Sequence, residues 1–184
     1  MPEEPSLAPA LLLSMPQMND PNFERTVVLL CQHSTEGAFG LVINRPVTTV
    51  AQVTTSDNPG EPTEHELEVW VGGPVEPERS WILTSDAAGD ERAVPVSDGV
   101  FLSTSQAVLQ RIIDGGGDDR TRLVAGYAGW GPGQLDAELA ASAWLSLDVQ
   151  LDIVFDTPAE RMWETAIRRL GASPGGLQTG RGVH

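Results

Sequence analysis

The residues best suited to chemistry fall in a few short runs. Cys31-Gln32-His33 places a thiol two positions from an imidazole at the end of the aliphatic run VVLLCQ. A thiol beside an imidazole can be a nucleophile with its base, or a redox-sensing thiol whose pKa the imidazole lowers. On a regular strand residues two apart share a face, roughly 6–7 Å apart at the backbone. The pair can therefore approach, although a strand does not direct one side chain at the other. The competing reading makes Cys31 a small hydrophobe beside Leu29 and His33 the wet end of the strand. With no third orienting residue visible, that packing reading is preferred.

A second set of residues is suited to binding. Arg45, in Asn44-Arg45-Pro46, is a fixed positive fork at a strand end, fit for a carboxylate or phosphate. Gly72-Gly73-Pro74 lets backbone amides come close to a partner. In Gly126 to Leu139 (GYAGWGPGQLDAEL), a strand end carries Tyr127 and Trp130, whose rings stack on flat groups. Gln134 and Glu138 follow one helical turn apart and face the same way. Together these residues make a candidate cleft. Each also has a structural alternative: Arg45 may be read as the partner of Glu138 or another acid, the glycines as turns, and Trp130 as a core plug.

Other chemistries find no support. The three histidines, at 33, 65 and 184, form no HxxxH, and there is no CxxC or Asp-rich calcium loop. No G-x-S-x-G elbow, Walker loop or dinucleotide fingerprint occurs. No metal, cofactor or catalytic residue is assigned, and the balance leans away from an enzyme.

Composition bounds the partners. The chain has 184 residues, 40% hydrophobic and 20% charged, which suits one ordinary domain. Its 26 acidic residues outweigh 11 basic ones, all arginine, for a net charge of −15. Nucleic-acid binding needs a basic face to displace counterions, and the one adjacent basic pair, Arg168-Arg169, sits where a helix end favours cations. The same charge repels anionic membranes. No apolar run reaches the roughly 20 residues that cross a bilayer. Leu11 to Met15 is short and preceded by Glu3 and Glu4, unlike a signal peptide. A lone cysteine forms no internal disulfide, so the cytoplasm is the expected compartment.

The positioning elements follow from periodicity and turn residues. Val27 to Gln32 reads as a buried strand, joined by HSTEGAFG to a second strand at Gly40 to Ile43 as a hairpin. Asn44-Arg45-Pro46 should end that strand, and Thr54 to Glu66 reads as a surface loop. Further strands are expected at Leu67 to Val71, Ser80 to Thr84, Gly99 to Ser103, Arg122 to Tyr127, Trp144 to Leu147 and Asp152 to Phe155. A mobile acidic loop is expected from Ser85 to Asp90. Helices are expected at Thr104 to Ile113, halted by Gly115 to Gly117, at Gly133 to Ser142, and at Ala159 to Leu170. Residues 1–10 and 172–184 read as flexible ends around one domain, 11–171. Hairpins preceding helices make the class mixed α+β.

The ordered set LLLSMPQMNDPNFERTVVLLCQHSTEGAFGLVINRP, VWVGGPV and GYAGWGPGQLDAELAASAWL resembles the bacterial YqgE/AlgH family, from about Leu11 to Leu170. The resemblance implies a single α+β domain whose mixed, bifurcated sheet curls into a pseudo-barrel with flanking helices. It implies a cleft at Asn44, Arg45 and Pro46, at Gly72, Gly73 and Pro74, and at Tyr127, Gly129, Trp130, Gln134 and Glu138. It implies little about activity; the family's label of transcriptional regulator derives from a role proposed in alginate synthesis. This chain departs in its short loop between Val50 and Leu67 and in its acidity, which weighs against direct DNA contact. The expected function is a cytoplasmic regulatory or binding protein recognising a small anionic ligand or a protein partner through the cleft. A thiol-based sensor or enzyme using Cys31 with His33 is the alternative. A DNA-binding regulator stands third, disfavoured by charge and by the lack of a helix-turn-helix pattern.

Overall fold

Three neighbouring strands carry unbroken apolar runs because both of their faces are covered. They are β1 (Ala10–Ser14), β2 (Val27–Ser34) and β3 (Gly37–Val42). Leu11, Leu13, Val27, Leu29 and Leu41 point into the main core, while Leu12, Val28, Leu30 and Val42 point into a second cluster behind them. The computed structural model describes residues 6–16, 21, 23–53, 60, 63–86, 90–114 and 120–171. The expected flexible ends at 1–5 and 172–184, and the Gly115 to Gly117 stop, lie outside the described residues, as do positions 87–89 of the acidic loop.

The remaining strands are β4 (Pro46–Val53), β5 (Thr63–Val71), β6 (Val75–Thr84), β7 (Val94–Ser97), β8 (Val100–Ser103), β9 (Arg122–Trp130) and β10 (Trp144–Leu147). Helices α1 (Gln106–Ile113), α2 (Gln134–Ala140) and α3 (Ala159–Arg169) flank them. Ile153, Val154 and Phe155 of a π-helical turn join Met162, Trp163, Ala166 and Ile167 of α3 to close the main core. Leu135 of α2 closes the second cluster. Val108 of α1 packs with Ile82 and Leu123 in a third.

The main sheet runs β10-β1-β2-β3-β9-β6-β8-β7 and forks at β9. Leu123 to Ala125 pair in parallel with Val69 to Val71 of β5, whereas Ala128 to Trp130 pair antiparallel with Ala38 to Gly40 of β3. One edge of β9 thus serves two strands in succession, and the hairpin β4–β5 forms the second prong. The other pairings are antiparallel. The result is an α+β domain with the sheet curled into a half-barrel.

Glycine makes the fork possible. The Gly72 N–H donates to Ala125 O at 2.8 Å, and Gly72 O accepts from Val42 N at 2.8 Å, so β5's end stitches β3 to β9. A Cβ on Gly72 would lie 2.4 Å from Gly126 O, and one on Gly73 2.2 Å from the Tyr127 carbonyl. Gly126, at φ 77°, marks the point where β9 changes partners.

Several local expectations change. The second strand ends before Asn44 as expected, and Pro46 also opens a new strand, β4, since a first strand position tolerates a missing N–H. Thr63 to Glu66 extend β5 into the expected loop, and β6 begins at Val75, before Ser80. Strands β1, β4 and β7 were not anticipated. Asp152 to Phe155 is a π-helical turn, not a strand, and it buries three consecutive side chains.

Gly72→Ala should lower unfolding stability by about 3 kcal/mol or more, since the Gly126 carbonyl and the buried Val124 side chain both stand in the way of a Cβ. Gly131→Ala, where a Cβ meets only Gln134 Oε1 at 3.9 Å, should stay within about 0.5 kcal/mol. Chemical denaturation of both variants checks the contrast.

Candidate functional site

A bulge at the end of β2 decides what Cys31 and His33 can do. Leu30 pairs with Gly40 and Gln32 with Phe39, leaving Cys31 as an extra residue. One extra residue reverses the alternation of the strand. Cys31 packs with the main core, whereas His33 stands opposite Ala38, which packs on the second cluster. The shared face that regular spacing predicts is therefore lost. His33 Nδ1 accepts from Leu7 N–H at 3.1 Å, so the proton sits on Nε2, which faces Asp136 at 3.1 and 3.3 Å. The Cys31 thiol lies 3.5 Å from Leu29 O, and burial pushes its pKa up to about 12. The structure does not bring these two residues together as a nucleophile and base.

The other expected site residues separate into distinct places. Asn44 braces the start of β2, its Oδ1 accepting from Val27 N–H at 3.1 Å and its Nδ2 donating to Arg25 O at 3.0 Å. Arg45 Nη2 donates to Glu24 O at 3.0 Å, and Pro46 pairs with Trp70 on β4. Gly72 and Gly73 lie in the fork, with Pro74 exposed beside them. Gln134 and Glu138 do face the same way, toward Trp130. Glu138 Oε1 accepts from the indoles of Trp130 at 3.1 Å and Trp144 at 2.9 Å, and Oε2 from Gln134 Nε2 at 3.1 Å. Gln134 Oε1 in turn accepts from Gly131 N–H at 3.0 Å. This carboxylate latches the end of β9, helix α2 and strand β10.

Tyr127 belongs to a different cluster. Its ring lies 5.1 Å from Phe39 and 6.2 Å from Trp81, with Phe39 and Trp81 5.0 Å apart. Gly129, opposite Phe39, keeps this side of β9 clear of any side chain beside the Tyr127 ring. The three rings line a cavity of about 500 Å³ that also meets Cys31, Arg79 and Val96. A neighbouring recess of about 620 Å³ shares Cys31, Gln32 and Phe39 and extends to His33, Trp130 and the segment Ser6 to Pro9. These two adjoining cavities at the bulged end of β2 are together termed the trough.

A second bulge furnishes the polar groups of this trough. Val75 pairs with Tyr127 and Ser80 with Ala125, so residues 76–79 loop out of β6. The loop sets the Arg79 guanidinium 4.5 Å from the centre of the Trp81 ring. Glu76, at φ 45°, accepts a hydrogen bond from the Tyr127 hydroxyl and holds its pKa above the ordinary value. Arg79 and Glu76 approach to 3.7 Å with both side chains about half exposed. Trp81 is 9% exposed, and its Nε1 is, among the described residues, a buried donor with no hydrogen-bond partner. Such an orphan costs roughly 1–3 kcal/mol. Sequence reasoning passed over Phe39, Arg79 and Trp81; the available signal was Pro77 inside a strand, which marks a bulge. Among the described residues, no three of His, Cys, Asp and Glu gather to hold a metal ion.

The sequence profile of the AlgH-like family matches residues 11–175. The chain belongs to this family. It is 43% identical to a "UPF0301 protein" of Anaeromyxobacter sp. (strain Fw109-5), over 98% of this chain and 96% of that one. It is 40% identical to a "UPF0301 protein" of Myxococcus xanthus, over 97% and 99%. The solution structure of the AlgH protein from Pseudomonas aeruginosa superposes with a TM-score of 0.71 at 33% identity, covering both chains fully. A crystal structure from Corynebacterium diphtheriae, at 22% identity, TM-score 0.66 and coverage of 92% and 90%, shares the fold. Among the described residues no helix is long and apolar enough to cross a membrane.

Two outcomes follow from this geometry. Iodoacetamide should modify Cys31 on the order of 1,000-fold more slowly at pH 8 than an unperturbed thiol, with a rate still rising at pH 10. His33→Ala should leave that rate unchanged, and acceleration by the wild-type histidine would restore the nucleophile–base pair. Glu138→Ala should cost about 2–4 kcal/mol by stranding two buried indole donors, with Glu138→Gln recovering most of the loss in thermal melts.

Proposed function

We propose that this protein is a cytoplasmic recognition protein with a regulatory role, which binds a small anionic molecule in the trough beside Cys31. The observation that carries the reading is the aromatic wall of Phe39, Trp81 and Tyr127 with the Arg79 guanidinium over it. A cavity of about 500 Å³ lies within the size range of small-molecule sites, roughly 300–1,000 Å³. Mostly apolar walls with a few placed polar groups are the usual composition of such sites.

In this reading Arg79 takes the anion-anchoring role that the sequence pattern assigns to Arg45, whose Nη2 is engaged by Glu24 O. Tyr127 and Trp130 keep their place at the cleft, one in each half of the trough. Gln134 and Glu138 act behind it, fixing Trp130. The net charge of −15 supports a small ligand over nucleic acid, which a protein binds by displacing counterions with basic side chains. A regulatory output would run through His33, which lines the trough while bonding both Leu7 and Asp136 of α2.

A thermal-shift screen against metabolites, nucleotides and anions checks the assignment. A ligand at 100 times its dissociation constant adds about 2.7 kcal/mol. The stabilisation should vanish in Tyr127→Ala and Arg79→Ala and persist in Arg45→Ala. Loss in Arg45→Ala with retention in Arg79→Ala would move the site to Asn44–Pro46.

A further inference from the structure

The unpartnered Trp81 indole narrows the ligand of this trough. A buried donor is nearly always satisfied in a native protein, by protein, water or ligand. Among the described residues Nε1 has no partner, and Trp81 forms part of the wall of the 500 Å³ cavity. Above its ring stands Arg79, a planar guanidinium suited to two-pronged contact with a carboxylate. A cation and an indole with a spare N–H therefore belong to the wall of one aromatic cavity.

We propose that the trough takes an aryl carboxylate. Its ring lies against Phe39 and Tyr127, and its carboxylate bridges the Arg79 guanidinium and the Trp81 indole N–H. This rests on the recognition reading above and names the class of ligand. Ring centres of Phe39, Trp81 and Tyr127 within 5.0–6.2 Å of one another offer edges and faces that a flat ring packs against better than an alkyl chain does. Two donors match the two oxygens of a carboxylate, each reached at about 2.9 Å. A phosphate dianion brings a second negative charge next to Glu76, which lies 3.7 Å from Arg79.

Arg79 moves to admit the ligand. Its contact with Glu76 is long and solvent-exposed, so exchanging it for the ligand's carboxylate costs little. Drawing the guanidinium off the ring uncovers the indole, whose N–H then gains the acceptor it lacks. The overall negative charge is no barrier at close range, since salt screens exposed charges beyond about 8 Å.

The probes are 1-naphthoate and its neutral isostere 1-naphthamide, followed by calorimetry and by ¹H–¹⁵N spectra of the tryptophan indoles. The Trp81 signal is assigned by its absence in Trp81→Phe. Naphthoate should bind at least tenfold more tightly than naphthamide, and its binding should move the Trp81 indole proton downfield. Arg79→Ala, at an exposed position, should weaken naphthoate at least tenfold. Trp81→Phe, which keeps an aromatic ring, should weaken it about fivefold with the melting transition still cooperative. Equal binding of acid and amide, or an unmoved Trp81 indole on binding, would overturn the proposal. If neither probe binds while a metabolite hit from the screen disappears in Tyr127→Ala, the aryl carboxylate falls and the recognition reading stands. If no ligand of any class binds the trough, both fall.

Discussion

The whole architecture hangs on a crossing of backbones that leaves no space for a side chain. At Gly72, Gly73 and Gly126 three strands pass within a Cβ radius of one another, and β9 changes partner from β5 to β3. Hydrogen bonding compels this closeness: Gly72 must give its N–H to Ala125 and its carbonyl to Val42. Were the crossing looser, each of those buried groups would lose its partner. The fork is also why Phe39 and Tyr127 meet at all. They sit on strands that come together just past the crossing, and Gly129 leaves the Tyr127 ring unobstructed.

Around that fixed point the sheet is regular where it is stable and irregular where it is open to solvent. Strands β1, β2 and β3 are apolar on both faces until Cys31, where the bulge begins. Strand β6 is regular from Ser80 onward, and its bulge at 76–79 hangs over the same trough. Two bulges, a positive-φ glutamate and a buried donor without a partner all fall in one region. Irregularities of this kind are carried by the stability of surrounding structure and gather at functional sites. The double-sided core of the first three strands supplies that stability.

The sequence made much of this legible, unevenly. The hairpin of β2 and β3, the helices at 106–113, 134–140 and 159–169, and the α+β class followed from periodicity and turn residues. The close-approach role of Gly72 and Gly73 was legible too, but its partner was not: the glycines approach Gly126 and Tyr127 of their own sheet. Register is the reason for the larger differences. A bulge cannot be counted from a strand's apolar pattern, so Cys31 and His33 looked like neighbours on one face. Phe39, Arg79 and Trp81 are ordinary residues in their own segments, and only the fork brings them together. The pairing of Gln134 with Glu138 was visible in their spacing; that two indoles would claim the same carboxylate was not.

The proposal of binding over catalysis draws on the protonation of the trough's reactive groups. A nucleophile or base works when its environment tunes its pKa toward the working pH. Here burial drives the Cys31 thiol to about 12, which keeps it protonated. Glu76 moves the Tyr127 hydroxyl upward as well, away from ionisation near neutrality. His33 has Nδ1 engaged by Leu7 N–H and Nε2 by Asp136. The thiol and the phenol are therefore held in their less nucleophilic, protonated form, and the imidazole has both nitrogens engaged. The same wall carries a guanidinium on an aromatic face and an indole N–H without a partner among the described residues, and the proposed reading rests on these two groups.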